Sequence, residues 1–242
     1  MTPAKPILVA HRGDAANFLE NTLPAFESAC RLGIRHVELD VQITADGIPL
    51  VLHDANARRT HRIDLDVRRH DLATLAGDGL FDAKVFDCPI PQLGEFVDWM
   101  AKHPQMHVFV EIKKESLHTH GRTRVLSAIM DTLAPIGGRY SLISYDARVL
   151  AMAKRQGVPV GYVLPTMGER YRAVALQLSP QVLFADYRQI LHARKLWPGP
   201  WQWATFEVAD RAIARRMIEC GLDYLETMNP TMLRTMPGLA KS

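Results

Sequence analysis

Short apolar runs rich in β-branched residues alternate along this chain with longer segments whose apolar positions recur every three or four residues. Runs of the first kind predict strands, and segments of the second kind predict helices. The predicted strands cover residues 7–11, 36–41, 107–113, 140–144, 158–164, 182–186, 202–206 and 223–226. Helices are predicted between most of them, for example at residues 92–102, 121–133, 147–156 and 208–220. Repeated strand–helix units predict a parallel sheet, and eight units predict a closed (β/α)8 barrel of the TIM type.

A ninth apolar run, residues 48–53, does not fit the strand–helix repeat. It follows Asp46-Gly47, a favoured two-residue hairpin turn, which predicts a strand antiparallel to the second one. Residues 54–91 are rich in charged and turn-forming residues and are predicted to form an insertion that continues from this hairpin. Loops after barrel strands gather at one end, so the insertion is expected there. Without a linker to divide it, the chain is interpreted as a single domain over residues 1–242.

Composition adds a few exclusions. Hydrophobic residues make up 48% of the chain, enough for one sizeable core, and the net charge of +3 is too small to indicate nucleic-acid binding. Cys30, Cys88 and Cys220 lie too far apart for a zinc-ligand spacing or a disulfide framework. We find neither a signal core nor a run of about 18 apolar residues, so we expect a cytoplasmic protein without stable membrane anchoring.

Candidate chemistry lies at the ends of two predicted strands. Side chains alternate between the faces of a strand, so Glu38 and Asp40 share one face. Glu111 and Lys113 share the corresponding face of a later strand. Both pairs fall at the carboxyl ends of their strands, where barrel enzymes place their catalytic groups.

Three carboxylates facing one rim repel one another and lose hydration. A divalent cation would relieve this conflict, and ligands that are all oxygens favour a hard ion such as Mg²⁺ or Ca²⁺. The alternative is that the carboxylates only form ion pairs with Arg12 and Lys113, and the pattern alone leaves both interpretations open.

Two histidines are predicted at the same rim. His11 ends the first strand, directly before Arg12 and Gly13, and His53 closes the hairpin strand. Two imidazoles near a metal suit a reaction in which one proton is removed and another delivered. Arg12 and Lys113 would supply positive charge for a phosphate group, because a guanidinium matches two phosphate oxygens and an ammonium acts as a point charge.

This ordered set of residues resembles the signature of the glycerophosphodiester phosphodiesterase family, within the phosphatidylinositol phospholipase C-like barrel superfamily. The family shows His-Arg-Gly, Glu-Asn-Thr, Glu-Leu-Asp-Val, His-Asp and Glu-Ile-Lys in that order. The corresponding residues here are His11-Arg12-Gly13, Glu20-Asn21-Thr22, Glu38-Leu39-Asp40-Val41, His53-Asp54 and Glu111-Ile112-Lys113.

The resemblance implies a metal-dependent hydrolysis of glycerophosphodiesters to glycerol 3-phosphate and an alcohol. Glu38, Asp40 and Glu111 would bind Mg²⁺ or Ca²⁺, with Mn²⁺ as a further candidate. His11 and His53 would form the acid/base pair. The nucleophile is either water or the 2-hydroxyl of the substrate, and the residues do not assign base and acid.

The same resemblance implies that Arg12 and Lys113 hold the phosphate and that Trp203 forms a wall of the substrate pocket. After the last strand the chain departs from the family's usual Thr-Asp-x-Pro and has Glu226-Thr227-Met228-Asn229-Pro230. This departure, and the arginines of the insertion in place of a glycine-rich turn, leave the released alcohol open.

Two other functions stay open from sequence. A phospholipase D-like hydrolysis of lysophospholipids would be favoured by an apolar channel through Phe81, Phe86 and Trp201. A non-catalytic protein that binds a phosphate ligand is the other alternative. The oligomeric state is not readable.

Three smaller features receive a structural interpretation. His118-Thr119-His120 is interpreted as a solvated loop rather than a metal pair. The arginines at positions 58, 59, 68 and 69 are interpreted as a solvated face rather than a site for anionic head groups. Asn21 and Thr22 are expected to serve the start of the first helix, where Thr22 is placed as the N-cap, and Glu20 to support the site from outside.

Overall fold

The computed structural model describes residues 5–82, 87–193 and 195–239. Its strands are β1 Ile7–His11, β2 His36–Ile43, β3 Pro49–Val51, β4 His107–Ile112, β5 Tyr140–Ser144, β6 Val160–Val163, β7 Val182–Asp186, β8 Gln202–Phe206 and β9 Tyr224–Thr227. Its α-helices are α1 Leu23–Arg31, α2 Arg58–His61, α3 Leu72–Gly77, α4 Leu93–Lys102, α5 Lys114–His120, α6 Arg122–Leu133, α7 Ala147–Arg155, α8 Glu169–Leu178, α9 Tyr187–Ala193, α10 Arg211–Glu219 and α11 Pro230–Leu233. No helix in these ranges is both long and apolar enough to span a bilayer.

Eight of the strands form a closed parallel barrel. The strand order is β1-β9-β8-β7-β6-β5-β4-β2, and β1 also pairs with β2, which closes the ring. The predicted (β/α)8 fold is therefore confirmed. Residues 118–120 were predicted to form a loop. They instead form the last part of α5, which begins directly after Lys113.

The predicted hairpin is also present. β3 pairs antiparallel with the last residues of β2, through Val41 with Val51 and Ile43 with Pro49, and this pairing extends β2 beyond its predicted end. The following insertion has its own small apolar cluster, formed by Leu50, Leu52, Ala57, Val67, Leu75, Leu80 and Ile90. Phe81 packs against this cluster, and Phe86 lies outside the described residues.

Alternation along the strands sorts the core into two layers. One layer packs between strands and helices and contains, for example, Leu39 and Val110, while a second layer fills the inside of the barrel. The inner layer consists of Val9, Phe109, Ile143, Val163, Val182, Phe184 and Ala204. Every second residue of a strand thus points into the barrel, and the last inward positions face the rim.

The amino-terminal end of the barrel is filled by aromatic and imidazole rings. The His36 and His107 ring centroids lie 5.5 Å apart, and both rings pack near Phe109. Burial lowers the pKa of His107 to about 4 and also lowers the pKa of His36. Both imidazoles are therefore neutral in the folded protein near neutral pH.

Gly161 on β6 is required by the inner layer. A Cβ added there would lie 2.8 Å from a ring carbon of Phe184 and 2.9 Å from Ile143 Cγ2. We expect Gly161→Ala to lower the free energy of unfolding by about 1–3 kcal/mol, as overpacking does. Urea unfolding measures this change. Gly94→Ala is the control, because nothing lies within 4 Å of the added Cβ, and equal stability of the two variants would contradict the assignment.

The buried histidines predict acid sensitivity. In the unfolded chain, His107 binds a proton below the ordinary histidine pKa of about 6.5. In the folded protein it stays neutral down to its lowered pKa of about 4. Stability present above pH about 6.5 is thus lost as pH falls towards 4. We expect His107→Gln to lose less urea stability between pH 7 and pH 5 than the parent protein. His118→Gln, at an exposed position of α5, serves as control, and equal losses in all three proteins would refute the prediction.

Candidate active site

Strand register brings the predicted acidic residues together at the carboxyl-terminal rim. Asp40 on β2 is the registered neighbour of Glu111 on β4, and His11 on β1 is the neighbour of Glu38 on β2. Ligand oxygens of Glu38, Asp40 and Glu111 all lie within 4.8 Å of one another. These four residues come from three adjacent strands, so the barrel itself fixes their spacing.

Two cationic side chains lie among the carboxylates. Lys113 Nζ is 3.1 Å from Asp40 Oδ1 and 3.0 Å from Glu111 Oε1. Arg12 Nε is 3.0 Å from Asp40 Oδ2, and Arg12 Nη1 donates to Glu20 Oε1 at 2.9 Å. The ion pairs considered as an alternative to metal binding are therefore formed, and they converge on Asp40.

The carboxyl groups differ in their electrostatic surroundings. Burial would raise the pKa of Asp40, but Lys113 and Arg12 hold it well below the usual value. Burial raises the pKa of Glu38 well above its usual range, and it raises the pKa of Glu111 to about 7 although Lys113 opposes the shift. Arg12 and Lys113 therefore compensate the negative charge of Asp40 much better than that of Glu38.

The two predicted histidines have different environments. His11 is buried, with Nε2 at 3.3 Å from Glu226 Oε1 and 3.7 Å from Glu38 Oε2. Burial and the neighbouring Arg12 lower the pKa of His11 to about 3, so its ring is neutral. His53 is partly exposed, and its Nδ1 lies 2.6 Å from Asp54 Oδ1. If Nδ1 donates to Asp54, the free Nε2 is the proton acceptor of the ring.

The structure changes the interpretation of Asn21. It was expected to serve the start of α1, but it is buried and its Nδ2 donates to Asp40 Oδ2 at 2.9 Å. Its φ of 59° and that of Arg12, 56°, are in the left-handed region, which costs energy for non-glycine residues. Thr22 does occupy the N-cap position, but its hydroxyl donates to the Leu19 carbonyl rather than to the helix.

An arginine of the insertion also reaches the site. Arg59 on α2 contacts Asp54 Oδ2 through Nε at 2.6 Å and Glu20 Oε1 through Nη2 at 2.5 Å. Arg59 therefore connects Asp54, which contacts His53, to Glu20, which contacts Arg12. Arg58 and Arg59 are both exposed, as the interpretation of a solvated face expects, but Arg59 also pairs with two acidic residues of the site.

Trp203 is the predicted site residue that the structure places elsewhere. Ala204 belongs to the inner layer of the barrel, so alternation turns Trp203 towards the helices, where its Nε1 donates to the Trp197 carbonyl at 3.1 Å. Phe206, two residues beyond Ala204, faces the cavity instead. Trp201 is buried in the same outer layer as Trp203 and does not line the described cavity.

Glu226 is the functional candidate that sequence reasoning missed. On β9 Leu225 faces the helices, so Glu226 faces the barrel interior, where it is 2% exposed. The signal was present, because the alternation that selected Glu38 and Asp40 selects Glu226 as well. The motif comparison draws attention away from it, because Glu226 belongs to the stretch that departs from the family's Thr-Asp-x-Pro.

A cavity of about 830 Å³ opens above these groups, and its two sides differ. One side carries the polar residues His11, Arg12, Glu38, His53, Glu111, Lys113 and Glu226. The other is mostly apolar and comes from the ends of β5 to β8, with Ile143, Tyr145, Val163, Pro165, Phe184 and Phe206. The cavity can therefore hold a molecule with an anionic group at one end and a less polar group at the other.

The molecule is thus a (β/α)8 barrel with an acidic site flanked by cationic side chains at its carboxyl-terminal rim, and comparison with known proteins gives its family. Residues 11–179 match the sequence model of the glycerophosphoryl diester phosphodiesterase family. Since that match covers more than half of the chain, the protein belongs to this family.

Among curated relatives, YqiK of Bacillus subtilis, named as an uncharacterized protein, is 31% identical over 178 residues, which are 72% of this chain and 63% of that one. A glycerophosphodiester phosphodiesterase of Bacillus altitudinis is 34% identical over 109 residues, 44% of each chain. The chain thus spans less than two thirds of the length of these relatives.

Solved structures support the fold. A phosphodiesterase of Oleispira antarctica in complex with the product sn-glycerol-3-phosphate has a TM-score of 0.78 at 23% identity, over 93% of this chain and 94% of that one. A glycerophosphodiester phosphodiesterase of Parabacteroides distasonis has a TM-score of 0.79 at 18% identity, with 95% of each chain covered.

The turn that carries His11 and Arg12 depends on Gly13. Its φ is +81°, and an added Cβ would lie 2.7 Å from the backbone carbon of Ala25 in α1. Gly33 has nearly the same φ, +82°, with nothing within 4 Å of its added Cβ. We expect Gly33→Ala to lose about 1–2 kcal/mol from the left-handed backbone alone. Gly13→Ala should lose about 1–3 kcal/mol more, from the clash with α1.

Urea unfolding of both variants measures the difference. Equal losses would show that α1 shifts freely and that Gly13 does not fix the turn.

Proposed function

We propose that this protein hydrolyses glycerophosphodiesters to glycerol 3-phosphate and an alcohol, with the help of a divalent cation. The observation that carries the proposal is the juxtaposition of Glu38, Asp40 and Glu111, whose oxygens lie within 4.8 Å of one another. Glu38 and Glu111 line the same cavity as two histidines and two cationic side chains, those of Arg12 and Lys113. Family membership supports the substrate class.

The residues present fit a cation. Glu38 Oε1 is buried and has no hydrogen-bond partner among the described residues, which is costly for a carboxylate oxygen unless an ion binds it. The proposed ligands are Glu38, Asp40 and Glu111. An all-oxygen set suits Mg²⁺ or Ca²⁺, and Mn²⁺ shares this preference. When bound, the ion would polarise the phosphoryl oxygens of the substrate.

Arg12 and Lys113 are proposed to bind the remaining phosphate oxygens. Both now contact Asp40, at 3.0 and 3.1 Å, so an incoming phosphate would compete with that carboxylate for them. Asn21 would keep Asp40 in place during this exchange, because its amide donates to the same carboxylate. Positive charge next to the reacting phosphoryl group stabilises the charge that develops in the transition state.

His11 and His53 are proposed as the acid/base pair. One accepts the proton of the nucleophile and the other donates a proton to the leaving alkoxide. Asp54 orients the His53 ring through Nδ1, at 2.6 Å, so Nε2 is the nitrogen that exchanges a proton with the substrate. The apolar side of the cavity, with Phe184 and Phe206, would receive the alcohol.

Hydrolysis of glycerophosphocholine tests the metal requirement. We expect turnover in a divalent-cation buffer, loss of turnover after rigorous chelation with EDTA, and recovery when Mg²⁺, Ca²⁺ or Mn²⁺ is restored. Glu38→Gln should resist recovery because it removes charge from the proposed ligand set. Full turnover in the chelated protein would exclude the metal role.

Single substitutions test the histidines. His11→Gln and His53→Gln should each lower kcat by about 10²–10⁴-fold, the usual contribution of general acid or base catalysis. His118→Gln, on the exposed end of α5, should leave kcat unchanged. Parent-like turnover by either rim variant would remove that histidine from the mechanism.

A further inference from the structure

We propose that Glu226, on β9, is a fourth carboxylate ligand of the divalent cation, beside Glu38, Asp40 and Glu111. This inference rests on the metal dependence proposed above. It assigns to the site a residue outside the motifs that identify the family, and it predicts tighter cation binding than three carboxylates provide.

Position is the first support. β9 pairs with β1 so that Val9 is the registered neighbour of Glu226, and the Glu226 side chain therefore points towards the same part of the barrel interior as His11. Ligand atoms of His11, Glu38 and Glu226 all lie within 4.8 Å of one another. Glu38 belongs to this group and also to the group with Asp40 and Glu111, so the two groups are continuous.

Unsatisfied atoms are the second support. Glu226 is 2% exposed and Glu38 is 1% exposed. Within the described parts of the chain, Glu226 Oε2 and Glu38 Oε1 have no hydrogen-bond partner. Asp40 differs, because Lys113 contacts one of its oxygens, and Asn21 and Arg12 contact the other. The rim carboxylate oxygens without a partner are thus on Glu38 and Glu226.

Charge balance is the third support. Four rim carboxylates, those of Glu38, Asp40, Glu111 and Glu226, face two cationic side chains, Arg12 and Lys113. If all four are ionised, they carry two more charges than these two cations neutralise, and one divalent cation would balance them. Without Glu226 the difference would be a single charge. A divalent cation bound here would therefore allow all four carboxylates to stay ionised, since isolated buried charges are strongly destabilising.

The competing explanation is that Glu226 only orients His11, whose Nε2 is 3.3 Å away. Glu226→Gln separates the two roles, because the amide keeps the size and can still hydrogen-bond to the imidazole but carries no charge. If Glu226 is a ligand, the Kd for Mn²⁺ rises. The increase should exceed the roughly 10–100-fold that loss of an outer partner of a metal ligand causes.

The measurement is titration of the full-length protein with Mn²⁺, with free Mn²⁺ followed by its electron paramagnetic resonance signal. Glu207→Gln is the matched control, because Glu207 also lines the cavity but is paired with Arg188 at 3.1 Å, and its Mn²⁺ affinity should equal that of the parent. Glu226→Met is a second variant of similar size without a polar group, and it should show the same loss.

Thermal unfolding in EDTA shows that the variants are folded. Both Glu226 variants should unfold at or above the temperature of the parent protein, because each removes a buried charge. A folded variant that binds Mn²⁺ as tightly as the parent overturns the inference and leaves the proposed function intact. A parent protein that does not bind Mn²⁺, Mg²⁺ or Ca²⁺ would instead overturn the metal role in the proposed function.

Discussion

Repulsion among buried carboxylates is the constraint on which the rest of this site depends. The register of β1, β2, β4 and β9 fixes these groups at one rim, where they cannot separate or regain full hydration. Arg12 and Lys113 neutralise one part of the cluster, and Asn21 holds the most strongly paired carboxylate. The closed barrel supplies the rigidity, since eight strands joined edge to edge leave little freedom for any one of them to move outward.

The sequence predicted most of this arrangement, because two periodicities determine it. Alternation of apolar and polar residues identified the inward faces of β2 and β4, and strand counting identified the barrel. The same rule would have turned Trp203 outward and Glu226 inward, but analogy with a motif placed Trp203 in the pocket. Asn21 could not be predicted, because its contact with Asp40 depends on a left-handed backbone that only the three-dimensional structure shows.

The insertion shows a second limit of prediction. A run of arginines is usually solvated, and Arg58 and Arg59 are both exposed in the four-residue helix α2. Their acidic partners distinguish them. Arg58 pairs with Asp64 of the insertion, whereas Arg59 connects Asp54 to Glu20 at the site. Charge in the sequence could not identify these partners, because they depend on how the insertion lies against the barrel.

The left-handed backbone of Arg12 and Asn21 has a consequence for how this protein can change over time. Each of these residues holds a conformation that glycine would adopt at lower energy, at a cost of order 1–3 kcal/mol. Glycine at either position would release that strain, but it would also remove the guanidinium or the amide that contacts the buried Asp40. A buried carboxylate that loses a charged partner is destabilised by about 3–5 kcal/mol, which exceeds the strain released. At positions 12 and 21, stability and chemistry therefore favour the same strained residues.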